Sequence, residues 1–339
     1  MTDTPMPRAT LSEVEAFNSQ WIQRYIDAEK RGVTLGRRKR IRLTLGKLGR
    51  LHLNKRFDQV TKDELQEFVD SLKDDSYDDP RYPESYSDET KRSYLKIAKP
   101  FFKWLHKLDD PEFASWIKTG SYRTTVGPED IFTEAELNQM RDACKTPRDK
   151  AMLETLFESA RRPKEFLSLR RGDIEFDKDC VTLHIRKGKT GFPRDVVLIG
   201  AARPLLTRWI LNEHPLRSDS DFSVWIDMSK NTTHEPLQQL GLRKFIARTA
   251  EQSRIKKRAY PYMMRHSRLT DLARLGANEA MLCEIAGWKQ GSKMPSVYIH
   301  FSGRDQKPAL MKLYGIQPEE PKEARPLTKK CPACNEVNT

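Results

Sequence analysis

The stretch from Ala259 to Phe301, AYPYMMRHSRLTDLARLGANEAMLCEIAGWKQGSKMPSVYIHF, limits what this chain can fold into more than any other. Leu269, Leu272 and Ala273 recur at the spacing of one helix face, and Gly276 breaks that helix. A second apolar stripe follows at Met281, Leu282, Ile285 and Ala286, closed by Gly287-Trp288. A loop of Lys, Gly, Ser and Pro then leads to Tyr298, set between Val297 and Ile299. Successive short elements thus deliver Arg265 with His266 and Ser267, then Trp288, then Tyr298. Each has a bland explanation when taken alone. A Tyr between Val and Ile is ordinarily a core residue, and so is a Trp after Gly.

With 339 residues the chain can build two domains and a tail. Its 61 Lys and Arg against 48 Asp and Glu leave a net charge of +13, a bias that favours a polyanionic partner. No apolar run approaches the roughly 18 residues of a membrane span. The opening MTDTPMPRATLSEVEAF lacks a basic-then-apolar signal pattern. Five cysteines is an odd number, and Cys144, Cys180 and Cys283 read as small buried residues in a reducing compartment. A cytoplasmic protein with no membrane partner is expected.

Along the chain, a helix is predicted from Leu11-Ser12 with Phe17, Trp21 and Tyr25 on one face, ending at Gly32. Arg37, Arg38, Lys39, Arg40 and Arg42 form the densest positive run, either a solvated helix face or a phosphate contact. Another helix starts at Val60-Thr61, with Leu65, Phe68, Val69 and Leu72 on one side. Asp74 to Asp88 reads as an exposed acidic loop. Ser87 to Thr90 caps a long helix with Tyr94, Ile97, Phe101, Trp104 and Leu105 on its apolar face. Lysines lie on its other face, where Lys91 is expected to contact DNA together with the basic run Arg37 to Arg42, and Pro100 predicts a kink or a break. Thr133 to Glu136 is a capping box, and two helices follow it. Val181, Leu183 and Ile185 alternate, a Lys-Gly-Lys-Thr-Gly turn intervenes, and Val196 to Leu198 returns, which predicts a β-hairpin. From Ala202 to Arg254 the pattern is helical, broken near Pro215 and Asn231. The fold class is therefore mainly α with a small antiparallel β-sheet. The expected domains are a helical one over 1–122, a linker over 123–130, a second domain over 131–316 and a tail over 317–339. The tail ends in Cys331-Pro332-Ala333-Cys334, two of the four ligands a closed zinc site takes.

Three further pieces join the opening stretch: Ser159-Ala160-Arg161-Arg162-Pro163-Lys164-Glu165-Phe166-Leu167-Ser168-Leu169, the turn Lys187-Gly188-Lys189-Thr190-Gly191, and Arg265 with its neighbours. In this order and spacing the chain resembles the tyrosine recombinases of the phage-integrase family. The ending GWKQGSKMPSVYIHFSGRD is most similar to the family's archaeal branch. The match runs from about Ile131 to Ile316, and SDETKRSYLKIAKPFFKWL resembles the family's core-binding domain. The resemblance implies a C-shaped clamp of two domains on double-stranded DNA attachment sites. It also implies a homotetramer in the synaptic complex and catalysis without a cofactor, with zinc confined to the tail.

Carried over by position, Arg162 and Arg265 match the family's two arginines, Lys189 the hairpin lysine, and Tyr298 the nucleophile. Glu165 is the acidic partner that buttresses the site. Trp288 stands where the family has His or Trp after Gly. Arg161 is adjacent to Arg162, but the pattern Arg-x-x-Glu aligns only from Arg162. His266 is expected to be hydrogen-bonded in the site without carrying a proton. Three residues before Arg265 the family usually has His, and sometimes Lys or Tyr. Here it is Tyr262, a poor base, so the acceptor of the Tyr298 proton stays open. The implied chemistry is attack of Tyr298 on a DNA phosphate held by paired arginine N–H groups. It gives a 3′-phosphotyrosine and a 5′ hydroxyl protonated by Lys189. Two other classes share some features: a non-catalytic helix-turn-helix regulator, and a type IB topoisomerase that only relaxes DNA.

Overall fold

The computed structural model describes residues 11–29, 34–77, 85–120, 127–186, 193–228, 234–301, 314, 329–330 and 337–338. The chain divides into two compact units, Met1–Arg123 and Thr124–Thr339. The cysteines of the tail motif, Cys331 and Cys334, lie outside the described residues, as does most of the segment after Phe301.

The first unit is helical. α1 spans Leu11–Ala28 and α2 spans Leu35–Lys47, the latter started by Thr34, whose side chain accepts from the Arg37 N–H. α2 runs into a π-helical turn, Leu48–Leu53, that ends on left-handed Asn54. α3, Lys62–Asp74, opens on a reciprocal capping box between Thr61 and Glu64. α4, Asp88–Leu105, is capped by Ser87. The buried stripe of α3 is Leu65, Phe68, Val69 and Leu72, as the spacing predicts. In α1 the buried positions are Ile22, Tyr25 and Ile26, with Trp21 only partly covered. Phe57 sits at the centre, edge-on to Phe101 at 5.0 Å and to Phe102 at 5.9 Å. Asn18 pins this centre by accepting from the Phe57 N–H at 2.9 Å and donating to the Lys55 carbonyl at 3.0 Å. A side chain at Gly49 would come within 3.0 Å of both Asn18 and Phe57, so the π-turn can pass there only as glycine.

Three expectations are corrected in this unit. Of the kink or break expected at Pro100, the break does not occur: α4 continues through it. The lost helical N–H is outweighed by burial of Ile97, Ala98, Phe101 and Phe102 around it. α1 ends at Ala28, four residues before Gly32. The acidic stretch after α3 is anchored rather than wholly exposed: Tyr86 is buried and stacks on Tyr77 at 4.2 Å.

The second unit starts with α5, Glu134–Ala143, on the expected Thr133–Glu136 capping box, and α6, Pro147–Glu158, capped by Thr146. α7 is one short turn, Pro163–Leu167. β1 (Ile174–Phe176), β2 (Val181–Ile185) and β3 (Arg194–Leu198) form an antiparallel sheet in that order. The hairpin is the predicted one. β1 adds a third strand too short to show a period of two in the sequence. In the register Val181↔Leu198, Leu183↔Val196 and Ile185↔Arg194, alternate residues of both strands face the core. α8 (Ala202–Arg208) passes into a π-turn (Trp209–Glu213), and α9 covers Gln239–Gln252. α10 (Pro261–Arg274), α11 (Glu279–Ala286) and α12 (Met294–Phe301) come from the constraining stretch. Gly276 (φ 106°) and Gly287 (φ 64°) punctuate them, as the sequence predicts. Pro295, expected in the preceding loop, belongs to the first turn of α12, where a missing N–H costs nothing. β4 (Lys329–Lys330) pairs with β5 (Val337–Asn338). The core of this unit stacks Phe166 on Trp225 at 4.7 Å. Ser267 of α10 ties the unit's start to that core by accepting from the Phe132 N–H at 2.9 Å. Cys144 and Cys283 are buried as expected, whereas Cys180 is only partly covered. Among the described residues no helix is long and apolar enough to cross a membrane.

Candidate active site

The site is built where the C-terminal end of α11 meets the turn before α7. Helix ends leave carbonyls without intrahelical partners, and these carry the negative end of the helix dipole. At α11 three successive carbonyls accept from three different arginines. Arg161 Nη2 donates to Ile285 O at 3.3 Å, Arg265 Nη2 to Ala286 O at 2.8 Å, and Arg162 Nη2 to Gly287 O at 3.3 Å. Arg265 Nη1 also donates to the Ala160 carbonyl at 2.6 Å. Ala160 is itself left-handed (φ 49°), which turns the chain sharply after α6 and presents Arg161 and Arg162 together.

Glu165, one turn on, draws the cluster together. Its carboxylate accepts from Arg162 Nη1 at 2.8 Å and from Arg194 Nη2 at 2.7 Å, and lies 3.8 Å from Arg161 Nη1. Burial alone would raise its pKa. The Arg162 hydrogen bond and the charges of Arg194, Arg162 and Arg161 outweigh that and hold it below the ordinary glutamate value. The arginines feel the opposite balance. Burial and then repulsion from Arg162 bring Arg265 down to about 10. Burial, then repulsion from Arg194, pushes Arg161 well below the usual guanidinium range. Three guanidinium groups therefore share one carboxylate, and a fourth, Arg265, feels its charge from its place on the neighbouring carbonyls. Nε and Nη1 of both Arg161 and Arg194 are buried with no hydrogen-bond acceptor among the described residues. A cluster with surplus buried donors and surplus positive charge is suited to hold an anion.

Tyr298 reaches the cluster from α12 and is 1% exposed. Its hydroxyl lies 2.9 Å from His266 Nδ1, with the two rings near-parallel at 19°. Trp288 stacks on Tyr298 at 5.5 Å, and the Arg265 guanidinium sits over the Trp288 ring at 5.2 Å. Burial, with Arg265 beside it, pulls the His266 imidazole down to about 4. The ring is therefore neutral at physiological pH.

The profile of the phage integrase family matches residues 130–304, half of the chain, and these include the whole cluster. The chain belongs to the phage integrase family. A tyrosine recombinase of Thermosipho africanus is 24% identical over 274 residues, 77% of this chain and 88% of that protein. Among solved structures, XerH recombinase bound to its difH substrate in a pre-cleavage complex superposes with a TM-score of 0.62. It is 18% identical and covers 90% of this chain and 84% of that one. Lambda integrase residues 75–356 bound to DNA superpose with a TM-score of 0.63 at 12% identity, covering 85% of this chain and 97% of that one. These likenesses establish the fold, mainly helical with a small antiparallel sheet. Family membership makes the chain a tyrosine site-specific recombinase.

Within this integrase fold, the structure brings Arg162, Glu165, Arg265, His266, Trp288 and Tyr298 into one cluster. Lys189 lies outside the described residues. Tyr262 stands on the first turn of α10, 46% exposed, and has no hydrogen-bond partner among the described residues. Two members of the cluster were not expected from the sequence. Arg161 is fully buried beside Arg162, although adjacency made it look like a register error. Arg194 faces inward because it shares the alternation of Val196 and Leu198, and that signal was readable on the return strand.

In the first unit, α2 presents the basic run unevenly. Arg40 donates to Ser93 Oγ at 3.1 Å and Arg42 to Gln23 Oε1 at 2.6 Å. Arg37 lies 3.9 Å from Glu29, and Lys91 on α4 is bonded to Asp75 at 2.7 Å. Lys39 is exposed, with no ion pair among the described residues, and Arg38 is half-buried.

Proposed function

We propose that this recombinase cuts and rejoins double-stranded DNA at attachment sites through a 3′-phosphotyrosine on Tyr298. The observation that carries the reading is the triple cap on α11, where Arg161, Arg265 and Arg162 bind three consecutive carbonyls beside Tyr298 and Trp288. Backbone caps fix arginines whose remaining N–H groups can hold the non-bridging oxygens of a phosphodiester. Donors fixed before the reaction are commonly the largest catalytic term. Glu165 sets their spacing and keeps their mutual repulsion in check. Tyr298 attacks phosphorus, the bond to the 5′ oxygen breaks, and Lys189 protonates that oxygen. The phosphotyrosine conserves the bond, so a 5′ hydroxyl from a partner strand can reverse the step. Catalysis as proposed needs no cofactor. Recombination in this reading takes place on DNA in the cytoplasm, with four copies of the chain at two paired sites. Cys331 and Cys334 supply two thiolates where a closed zinc site takes four ligands. The tail alone therefore does not fit a structural zinc, and no step is routed through it.

A nicked suicide duplex carrying the attachment site tests the reading. Wild type should give a covalent protein–DNA band on a denaturing gel, and Tyr298→Phe should lose it while still binding the duplex. Binding by wild type without a covalent band would favour a regulator that has lost catalysis.

A further inference from the structure

We propose that His266 is the base that takes the Tyr298 proton, a role distinct from merely holding the ring in place; the inference rests on Tyr298 being the nucleophile. Three features of the site support it. The phenol oxygen and His266 Nδ1 are at hydrogen-bond distance, 2.9 Å, with the rings nearly parallel. Tyr298 is buried and His266 half-buried, so the phenol hydroxyl is turned to the imidazole and away from bulk solvent. Tyr262, the other candidate acceptor on the same helix, is half exposed and without a hydrogen-bond partner among the described residues.

His266 is also kept in the protonation state that a base requires. Among the described residues, Arg265 bears on it from its own helix and Tyr298 from α12. Arg162 and Glu165 at α7 and Arg194 on β3 bear in turn on Arg265. Burial and the Arg265 charge leave the imidazole neutral, and in the tautomer protonated on Nε2 a lone pair on Nδ1 faces the phenol. A base this weak cannot hold the proton of a free phenol, whose pKa is near 10. It can do so during the reaction. A phosphate on Arg162 and Arg265 cancels the repulsion an imidazolium would meet, and the phenol oxygen becomes strongly acidic as its bond to phosphorus forms. Transfer is therefore concerted with attack. The Oη–P bond forms, the P–O5′ bond breaks, the Oη proton moves to His266 Nδ1, and the 5′ oxygen takes a proton from a separate acid. In rejoining, the imidazolium returns its proton to Tyr298 as the leaving group. Nδ1 is thus the productive acceptor, and Nε2 carries the ring's other proton.

The experiment uses the full-length protein and the nicked suicide duplex, with single-turnover cleavage followed against pH. His266→Asn places an amide oxygen where Nδ1 stood, keeping a hydrogen-bond acceptor without basicity. Wild type should cleave at a rate nearly flat across neutral pH, and fluorinated tyrosine at position 298 should change it little. His266→Asn should bind DNA as wild type does and cleave roughly 10²- to 10⁴-fold more slowly. Its rate should rise about tenfold per pH unit, tracking phenolate, and be restored by fluorinated tyrosine. A substrate with a 5′-bridging sulfur, which needs no proton on the leaving group, should not restore it. The inference is overturned if His266→Asn matches wild type in rate and profile, or if the sulfur substrate alone rescues it. Should the variant not fold, wild type decides, because a rate that rises with pH and shifts with fluorination means unassisted phenolate attack. If wild type forms no covalent product at all, the recombinase reading is what has failed.

Discussion

At the scale of single residues, Glu165 is the position on which the cluster depends. It is buried against Arg162 and Arg194 at bonding distance and Arg161 within ion-pair range. Removing one partner of a buried charge network leaves the others uncompensated, commonly at about 3–5 kcal/mol. Glu165→Gln should therefore lower the thermal midpoint strongly in calorimetry. Added sulfate or phosphate should raise the midpoint of the variant more than that of wild type, because an anion replaces the missing charge. Equal shifts would mean that the arginines do not form an anion site. Much of this cluster is legible in the chain. Arg162 and Glu165 are three apart on one turn, and Arg265, Trp288 and Tyr298 come from consecutive short elements. Arg194 was missed because a strand-edge arginine after a basic turn reads as solvated. Only its alternation with Val196 and Leu198 turns it inward. The pairing of Tyr298 with His266 could not be read at all, since it depends on how α12 packs on α10.

At the scale of elements, the end of α11 fixes the site, and Gly287 is its hinge. A side chain there would overlap the Arg194 guanidinium, and the left-handed φ of 64° disfavours any β-carbon. Gly287→Ala should cost about 1–2 kcal/mol from the backbone alone. It should also displace Arg194 from Glu165, reducing covalent-complex formation while leaving circular dichroism near wild type. Unchanged cleavage would separate Arg194 from the site. α10 carries a second charge of this kind, the half-buried Asp271. Burial pushes the Asp271 carboxyl up to about 6 despite Arg268 and Arg274. A raised carboxyl pKa means the folded state holds the proton more tightly. The stabilisation is then full below the unfolded value near 4 and is lost as pH rises through about 6. Asp271→Asn should therefore be more stable than wild type at pH 7 by roughly 1–2 kcal/mol, after allowing for the lost Arg274 contact. The two should converge near pH 4 in urea titrations, and a constant difference at both pH values would remove the assignment. The helices with caps and stripes were readable because their signals are local. Continuation of α4 through Pro100 was not, because burial on both sides of the proline decides it.

At the scale of the whole molecule, the net charge of +13 predicts a salt-dependent grip on DNA, but charge alone does not say which cations carry it. The basic run on α2 was readable as charge and not as surface. Arg40 and Arg42 are spoken for by Ser93 and Gln23, and Lys91 by Asp75. Lys39 is exposed, with neither an ion pair nor a side-chain hydrogen bond among the described residues. A cation that neutralises a phosphate releases a counterion, so each such contact adds about 0.9 to the slope of log K against log salt. Lys39→Ala should then reduce that slope by about one and weaken binding evenly across DNA sequences. Arg42→Ala should change the slope less and lower the thermal midpoint, because it removes a bond between α1 and α2. Fluorescence anisotropy across a salt series measures both. If Arg42 carries the larger slope change, it must leave Gln23 when DNA binds, and the α2 face is then rearranged by the duplex rather than presented to it ready-made.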